Sequence, residues 1–517
     1  MSDAAAPAPV LTRHPSLGIA GVFLGALISG INLRLTSFGL ADIRGGMGLS
    51  FDEGAWFSTC FNAAQLLLAP PVAYLARALG ARRILLPASL VYGVMTALLP
   101  LAPTPFAAML AQVVRGAAAG TFLPAVLTFV MQALPPRASI WGIAAYAFCT
   151  IFSNNVSASL EGFYGDAGAW QWTFWQTAVL ALPMAVMVRL GMPLQPLRPD
   201  LVRTSDWGGL LLCGAGLAMI YAGLDQGNRL DWLNSGTVVG LLLGGAALLA
   251  AFAVHEALQP EPWIRGPVLV RRAPVLLGCT LALFITSTLS GLIVLPYYMN
   301  NVLGFRSLQI GQALIWAALP PLLALPAAVA LLRRGVDPRL MIGFGTALMV
   351  VSAWLCTGLT HDWAARDFLP AVALQGVGQS TAFTALVLSV FSGVNGPEEV
   401  PTIAGWIQVA RLMGVGAGSA MLNTWLRQRE QIASNLVGQH VTGGDWMTQS
   451  ALGSFTVEFA HGSPSAASAR GVARLAGLVR AEATVIASID AFWLLAWLAL
   501  AALLLLALVP RIPRRLV

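Results

Sequence analysis

The chain alternates apolar segments with short polar connections along nearly its whole length. Segments at 17–39, 54–76, 83–102, 106–132, 138–162 and 171–193 form a first group. Two more, 207–224 and 236–254, follow the proline- and arginine-rich stretch MPLQPLRPDLVRTSD. After a second charged linker, HEALQPEPWIRGPVLVRR, the last group occupies 274–298, 308–332, 339–358, 367–391, 401–425 and 487–510. A hydrocarbon core about 30 Å thick needs roughly 20 apolar residues per helix, so each segment is predicted to be one transmembrane helix. The pattern is that of an all-α polytopic membrane protein with fourteen spans grouped six, two and six. The expected units are 1–195, a linker unit 196–273, and 274–517.

One connection breaks the short-loop rule. Residues 426–486, between the last two spans, are polar and rich in Ser, Gly, Gln and Arg. Such length marks a flexible excursion or a docking surface.

Composition agrees with the pattern and narrows the function classes. With 57% hydrophobic and 10% charged residues and a mean hydropathy of +0.75, the 517-residue chain lacks the polar surface a soluble core would need. The formal charge of +7 comes from arginine alone, since the sequence has no lysine. These arginines sit in loops between spans and not on one polar face, which argues against nucleic acid as a partner. Cys60, Cys149, Cys213, Cys279 and Cys356 have neither zinc-ligand nor disulfide-framework spacing, and the five histidines form no cluster, so no metal or cofactor is expected. RGAAAG and GVGAG lack the Lys-Ser or Lys-Thr of a phosphate-binding loop and read as close helix packing. No nucleophile and base share a depth and spacing, so an enzyme is not expected. The first apolar stretch is read as a retained span and not a cleaved leader.

Arginine bias in the loops orients the bundle, because cytoplasmic loops retain positive charge. With the N-terminus inside, the inner loops hold Arg77, Arg82, Arg83, Arg137, Arg198, Arg203, Arg265, Arg271, Arg272, Arg333, Arg334 and Arg339, while the short outer loops hold Arg44, Arg229, Arg306 and Arg366. Both termini are then cytoplasmic. The two outer groups also resemble each other: RGAAAGTFLPAVL from Arg115 matches QGVGQSTAFTALVL from Gln375, and the loops GARRILL and DPRLMIG occupy equivalent places. Duplicated six-helix halves place a substrate site at their interface near the midplane.

Polar residues inside spans are the candidate site. A charge near the bilayer centre costs at least about 2.5 to 3.5 kcal/mol, so each one suggests function. At about 1.5 Å per residue, Arg115 lies roughly 14 Å and Arg411 roughly 15 Å into their spans. Arg34 lies nearer a span end, where it can snorkel. Asn32, Gln112, Asn154, Asn155, Gln379 and Gln408 are further candidates for the cavity, against interhelical hydrogen bonding as the plainer reading. Adjacent Asn154 and Asn155 face different directions, so one at most lines the path. Glu161 and Asp490, both close to span boundaries, are proton-coupling candidates together with Arg115.

Specific stretches then point to a family. LDQGNRLDWLNS, LPYYMNNVLGFRSLQIGQAL, DPRLMIGFGTAL, WIQVARLMGVGAG and SIDAFWLLAWLAL resemble the fourteen-span drug:proton antiporter branch of the major facilitator superfamily, the EmrB/QacA-like exporters, over nearly the whole chain. Four signatures depart from that branch. GINLRLTSFGLADI puts Asn32 where a first-span aspartate is expected, and AYLARALGARR keeps Gly80, Arg82 and Arg83 of the gating loop but has Arg77 at its aspartate. In the fourth span Gln112 and Arg115 stand in exchanged places relative to R-x-x-Q-G, still on one helix face at i and i+3. The fifth-span GPxLGG motif reads Ser157, Ala158, Ser159, Leu160, Glu161, Gly162.

The resemblance implies a secondary active exporter of amphipathic or aromatic small molecules, driven by the proton gradient and working by alternating access in a bacterial inner membrane. Three candidate cavity arginines favour lipophilic anions. The resemblance further implies a periplasmic adaptor and an outer-membrane channel as partners. The alternatives are a dedicated transporter of one metabolite or siderophore, and a non-transporting receptor or assembly protein on a transporter scaffold.

Overall fold

The computed structural model describes residues 15–198, 206–259, 272–392, 399–459 and 464–510, which are helical with no strand among them. The main rods in chain order are α1 (Pro15–Phe38), α2 (Phe51–Leu79), α3 (Ala81–Leu98), α4 (Pro105–Gly120 continued by Phe122–Ala133), α5 (Pro136–Asp166) and α6 (Trp172–Gly191). α7 (Trp207–Gly227) and α8 (Gly236–Leu258) follow. The last group is α9 (Arg272–Ser287, then a π-turn at Ser290–Val294 and Leu295–Asn301), α10 (Ser307–Ala318 and Pro321–Arg333), α11 (Pro338–Leu355), α12 (Leu369–Ser392), α13 (Val400–Gln439) and α14 (Pro464–Ala507).

The termini of these rods follow from local chemistry. Ser50 opens α2 with a capping box closed by Glu53, Thr104 and Pro105 open α4, Asp206 caps α7 from Gly209 N–H, and Asp337 and Pro338 start α11. Each side-chain oxygen satisfies a backbone donor that the first helical turn leaves unpaired. Among the described residues, eleven helices are long and apolar enough to cross a membrane. The other three rods, α2, α5 and α13, are long enough but more polar. α2 carries Asn62 and Gln65, α5 carries Asn154, Asn155 and Glu161, and α13 runs on into the polar QREQIASNLVGQ.

Packing repeats the sequence duplication. α1 packs on α5 and α6, α3 on α4 and α6, and α2 on α4; α9 packs on α13 and α14, α11 on α12 and α14, and α10 on α12. Shifting every helix by eight positions turns the first set into the second. Between the groups, α5 meets α10 and α2 meets α13, and the same shift exchanges those two contacts. α7 lies along the α2–α13 seam, and α8 packs chiefly on α7.

Two local contacts are duplicated with the helices. A Cβ on Gly116 of α4 would stand 2.3 Å from the Phe61 carbonyl oxygen of α2, and one on Gly376 of α12 would stand 2.6 Å from that of Ala317 on α10. Only glycine permits backbones this close. The Arg82 guanidinium donates to the Met192 carbonyl just past α6 at 3.3 Å, and Arg339 donates to Val509 just past α14 at 2.8 Å. In each half the loop between the second and third helices thus ties down the end of the sixth.

Within 426–486 the described residues, 426–459 and 464–486, are mostly helical. α13 continues to Gln439, a separate helix spans Trp446–Glu458, and α14 begins at Pro464, well before its apolar part. The outcome is a three-helix projection whose cleft, of about 980 Å³, is lined by Glu430, Ser434, Leu452, Val472 and Arg480 among others. Its composition explains the helicity: Ala, Arg, Leu, Gln and Glu are good helix formers even where they are too polar for a membrane.

Candidate substrate cavity and its polar neighbours

The first half sends Arg34 from α1 and Thr150, Ile151 and Asn154 from α5 to a small shared space. The second half meets them with Phe284, Ile285, Thr288 and Leu292 from α9, Gln379 and Phe383 from α12, and Arg411 and Val415 from α13. The cavity holds about 60 Å³, room for a few waters. Two arginines face it and no acidic residue lines it. The remaining wall is aromatic, aliphatic or neutral polar.

Neighbouring contacts set these side chains. Gln408 lies outside the cavity wall, where its Oε1 accepts from Arg411 Nε at 3.1 Å and so orients the guanidinium. Tyr146 of α5 stacks on Phe383 of α12 with ring centroids 5.7 Å apart, closing a contact across the halves beside the cavity. Of the adjacent asparagines, Asn154 lines the cavity, while Asn155 turns its amide back to the Ile151 carbonyl at 2.8 Å. Asn32 is fully buried and donates to Thr177 of α6 at 2.9 Å, inside the first half.

Arg115 is placed elsewhere. It is fully buried within the first half, with its guanidinium 4.5 Å from the ring centre of Phe61, 5.2 Å from that of Phe174 and 6.0 Å from that of Tyr92. No carboxylate pairs with it in the described structure. Its Nε, Nη1 and Nη2 have no hydrogen-bond partner among the described residues, so these three ring contacts, each worth about 0.5–2 kcal/mol when desolvated, are what stands against the cost of burying the charge. Gln112, one turn earlier on α4, is buried in the same half and does not line the cavity.

The carboxylates separate by partner. Asp490 of α14 is ion-paired with Arg429 of α13. Glu161 is buried on α5 against Gly39, with Asp42 and Asp166 in electrostatic reach. Its neighbours in the altered motif seal the α5–α10 contact: a Cβ on Gly311 would meet the Ser159 nitrogen at 2.4 Å, and one on Gly162 would meet the Leu308 nitrogen at 2.2 Å. In the loop between α2 and α3, Gly80 takes φ = 88°, and Arg83 donates to the Leu79 and Gln195 carbonyls at 2.9 and 2.7 Å. The side chain of Arg77 lies outside the described residues, as do Arg203, Arg265, Arg271 and, near the C-terminus, Arg511, Arg514 and Arg515.

One polar group escaped sequence reasoning. Tyr221 and Asp225 of α7 lie one turn apart, and Tyr221 is within electrostatic reach of both Asp225 and the cavity residue Arg34. The signal was present as a polar i, i+4 pair at the edge of an apolar segment.

Comparison with known proteins places this geometry. The family model for the Major Facilitator Superfamily matches residues 22–419. The chain is 23% identical to the Fatty acid resistance protein FarB of Neisseria gonorrhoeae over 430 residues, 83% of each chain. It is 22% identical to the Multidrug export protein EmrB of Escherichia coli (strain K12) over 423 residues, 79% of this chain and 80% of that one. In fold it is similar to the human organic anion transporter MFSD10, with a TM-score of 0.55 at 15% identity, covering 94% of this chain and 99% of that one. It is also similar to the proton:xylose symporter XylE, with a TM-score of 0.57 at 12% identity, covering 96% and 97%. The duplicated helix packing, the cavity between the halves and the matched family model together make this chain a multi-pass membrane transporter of the Major Facilitator Superfamily, in its EmrB-like branch.

Proposed function

We propose that the protein exports amphipathic anions by alternating access, using the proton gradient. The observation that carries this reading is the cavity between the halves, where Arg34 and Arg411 stand among Phe284, Phe383, Ile151 and Leu292 with no acidic residue. Such a wall stabilises a ligand that combines apolar surface with one negative charge, and it repels an organic cation. The relative named for fatty acid resistance supports the same chemistry.

In this reading fourteen helices cross a bacterial inner membrane with both termini in the cytoplasm. The units are then a first bundle (1–195), linker helices (196–273) and a second bundle (274–517). The arginine-rich loops, Arg82 and Arg339 among them, lie inside, and the projection built on α13 and α14 lies outside. That projection is the surface on which a periplasmic adaptor, itself joined to an outer-membrane channel, would dock. Replacing Trp446–Glu458 by a short Gly-Ser connection leaves α13 and α14 intact, and it is expected to abolish adaptor co-purification while the membrane part stays folded. Undiminished co-purification would remove the projection from that role.

The substrate reading is tested by export of a permanently charged anionic amphiphile, taurocholate, against a lipophilic cation, tetraphenylphosphonium, in proteoliposomes. Taurocholate moves and tetraphenylphosphonium does not.

A further inference from the structure

α7 and the loop after it join the two halves at the far end of the bundle, opposite the 76–82 and 333–338 loops. On the α2 side, the Thr59 hydroxyl donates to an Asp225 carboxylate oxygen. Gln226 Nε2 donates to Thr59 Oγ1 at 2.6 Å and lies 3.2 Å from the Ala55 carbonyl oxygen. Arg229 Nε donates to Gln226 Oε1 at 2.8 Å, and its guanidinium pairs with Asp52. On the α13 side, the Tyr221 ring fills the place of a Cβ on Gly416, 2.6 Å away. Trp232 Nε1 donates to Thr424 Oγ1 at 3.1 Å, and Asp231 pairs with Arg427 at 3.8 Å.

Asp225 is unlike the other carboxylates of this region. Asp52 and Asp231 each have an arginine, whereas Asp225 has a hydroxyl and no ion pair among the described residues. That hydroxyl is amphoteric, as a hydroxyl can donate once and accept twice. When Asp225 is ionised, Thr59 donates to it. When Asp225 is protonated, its own O–H can donate to Thr59, which keeps Gln226 as a second donor and turns its proton to the Ala55 carbonyl, 3.1 Å away. Both protonation states therefore keep every hydrogen bond satisfied, which is what a site must offer if it is to bind and release a proton without breaking its own structure.

We propose that Asp225 is the proton-carrying carboxylate of this transporter, held by Thr59 so that either state has a partner, at the seam where α7 packs between α2 and α13. The step is simple in its balance: a proton from water at the far end binds one carboxylate oxygen and removes one negative charge, and it leaves again when the site is exposed to the other side. The titratable group beside it is Tyr221, one turn earlier on its own helix, and Tyr221 in turn is in electrostatic reach of Arg34. Arg229 with Asp52, and Asp231 with Arg427, lie towards the helix end.

The proposal rests on proton-driven export as read above, and two measurements keep the failures apart. In proteoliposomes, Asp225→Asn is expected to lower gradient-driven taurocholate accumulation about tenfold or more, and the taurocholate exchange that remains is expected to lose its dependence on pH. Thr59→Val shifts the pH profile of accumulation and Thr59→Ser restores it. Accumulation by Asp225→Asn at the wild-type level, with its loss in Glu161→Gln, overturns the assignment. The second measurement needs no substrate: infrared difference spectra of the purified protein between acidic and alkaline buffer. A protonated-carboxyl band that disappears in Asp225→Asn supports the assignment, and an identical band in wild type and variant overturns it. Absence of taurocholate movement in wild type counts against the export reading alone, and the infrared result still decides Asp225.

Discussion

Arg34 of α1 and Arg411 of α13 face one cavity from opposite halves, within electrostatic reach of each other and with no acidic residue in the wall between them. Two like charges so placed raise each other's energy, and a bound anion relieves that repulsion. In the proposed anion-export reading the pair would set ligand sign and, by drawing both halves onto one ligand, favour the closed form.

Removing either charge should reveal this. Arg34→Ala and Arg411→Ala are each expected to weaken taurocholate binding about tenfold or more, corresponding to about 1.4 kcal/mol or above, with Arg→Lys recovering most of it. Gln408→Leu, which frees the Arg411 guanidinium, should give a smaller loss of the same sign. Binding is read by isothermal titration in detergent.

Arg115 should behave differently. Since its guanidinium rests on Phe61, Tyr92 and Phe174 inside the first half, Phe61→Leu and Phe174→Leu are expected to lower thermal stability by about 0.5–2 kcal/mol each. Neither should change anion affinity. A loss of affinity without a loss of stability would place Arg115 in the transport path instead.

The glycine contacts give a sharper structural test. A methyl group on Gly116 meets the Phe61 carbonyl and one on Gly376 meets that of Ala317. Gly116→Ala and Gly376→Ala should each destabilise by about 1–3 kcal/mol through overpacking, and by similar amounts because the two sites are repeats of one another. Thermal unfolding of each variant checks both the size and the equality.

The loop arginines form a second repeated pair. Arg82→Ala and Arg339→Ala leave the Met192 and Val509 carbonyls without these donors, so α6 and α14 should fray at their ends. Hydrogen exchange at 188–192 and 505–509 is expected to rise in the respective variant and stay unchanged in the other half.

Much of this architecture is legible in the chain because the membrane demands it: a span needs a long apolar window, and a repeat leaves RGAAAG opposite QGVGQ. The site is less so. Gln112 and Arg115 share a helix face, but which neighbour that face meets depends on Phe61, Tyr92 and Phe174, scattered over three other helices. Arg34 lies close enough to a span end to be read as a snorkelling residue, and only the packing of α1 on α5 turns it inward. Asp225 sits one residue past the predicted end of its segment, where a carboxylate looks like a boundary residue. The projection at 426–486 was hidden by polarity, since a hydropathy pattern registers what enters lipid and not what forms a helix in water.

The measurement that bears most directly on anion export is uptake by inside-out proteoliposomes under an imposed pH gradient, acidic within, comparing taurocholate with tetraphenylphosphonium. Gradient-dependent accumulation of taurocholate alone, reduced in Arg34→Ala and Arg411→Ala, is the expected result. Accumulation of tetraphenylphosphonium with none of taurocholate, or movement indifferent to the gradient, would contradict it.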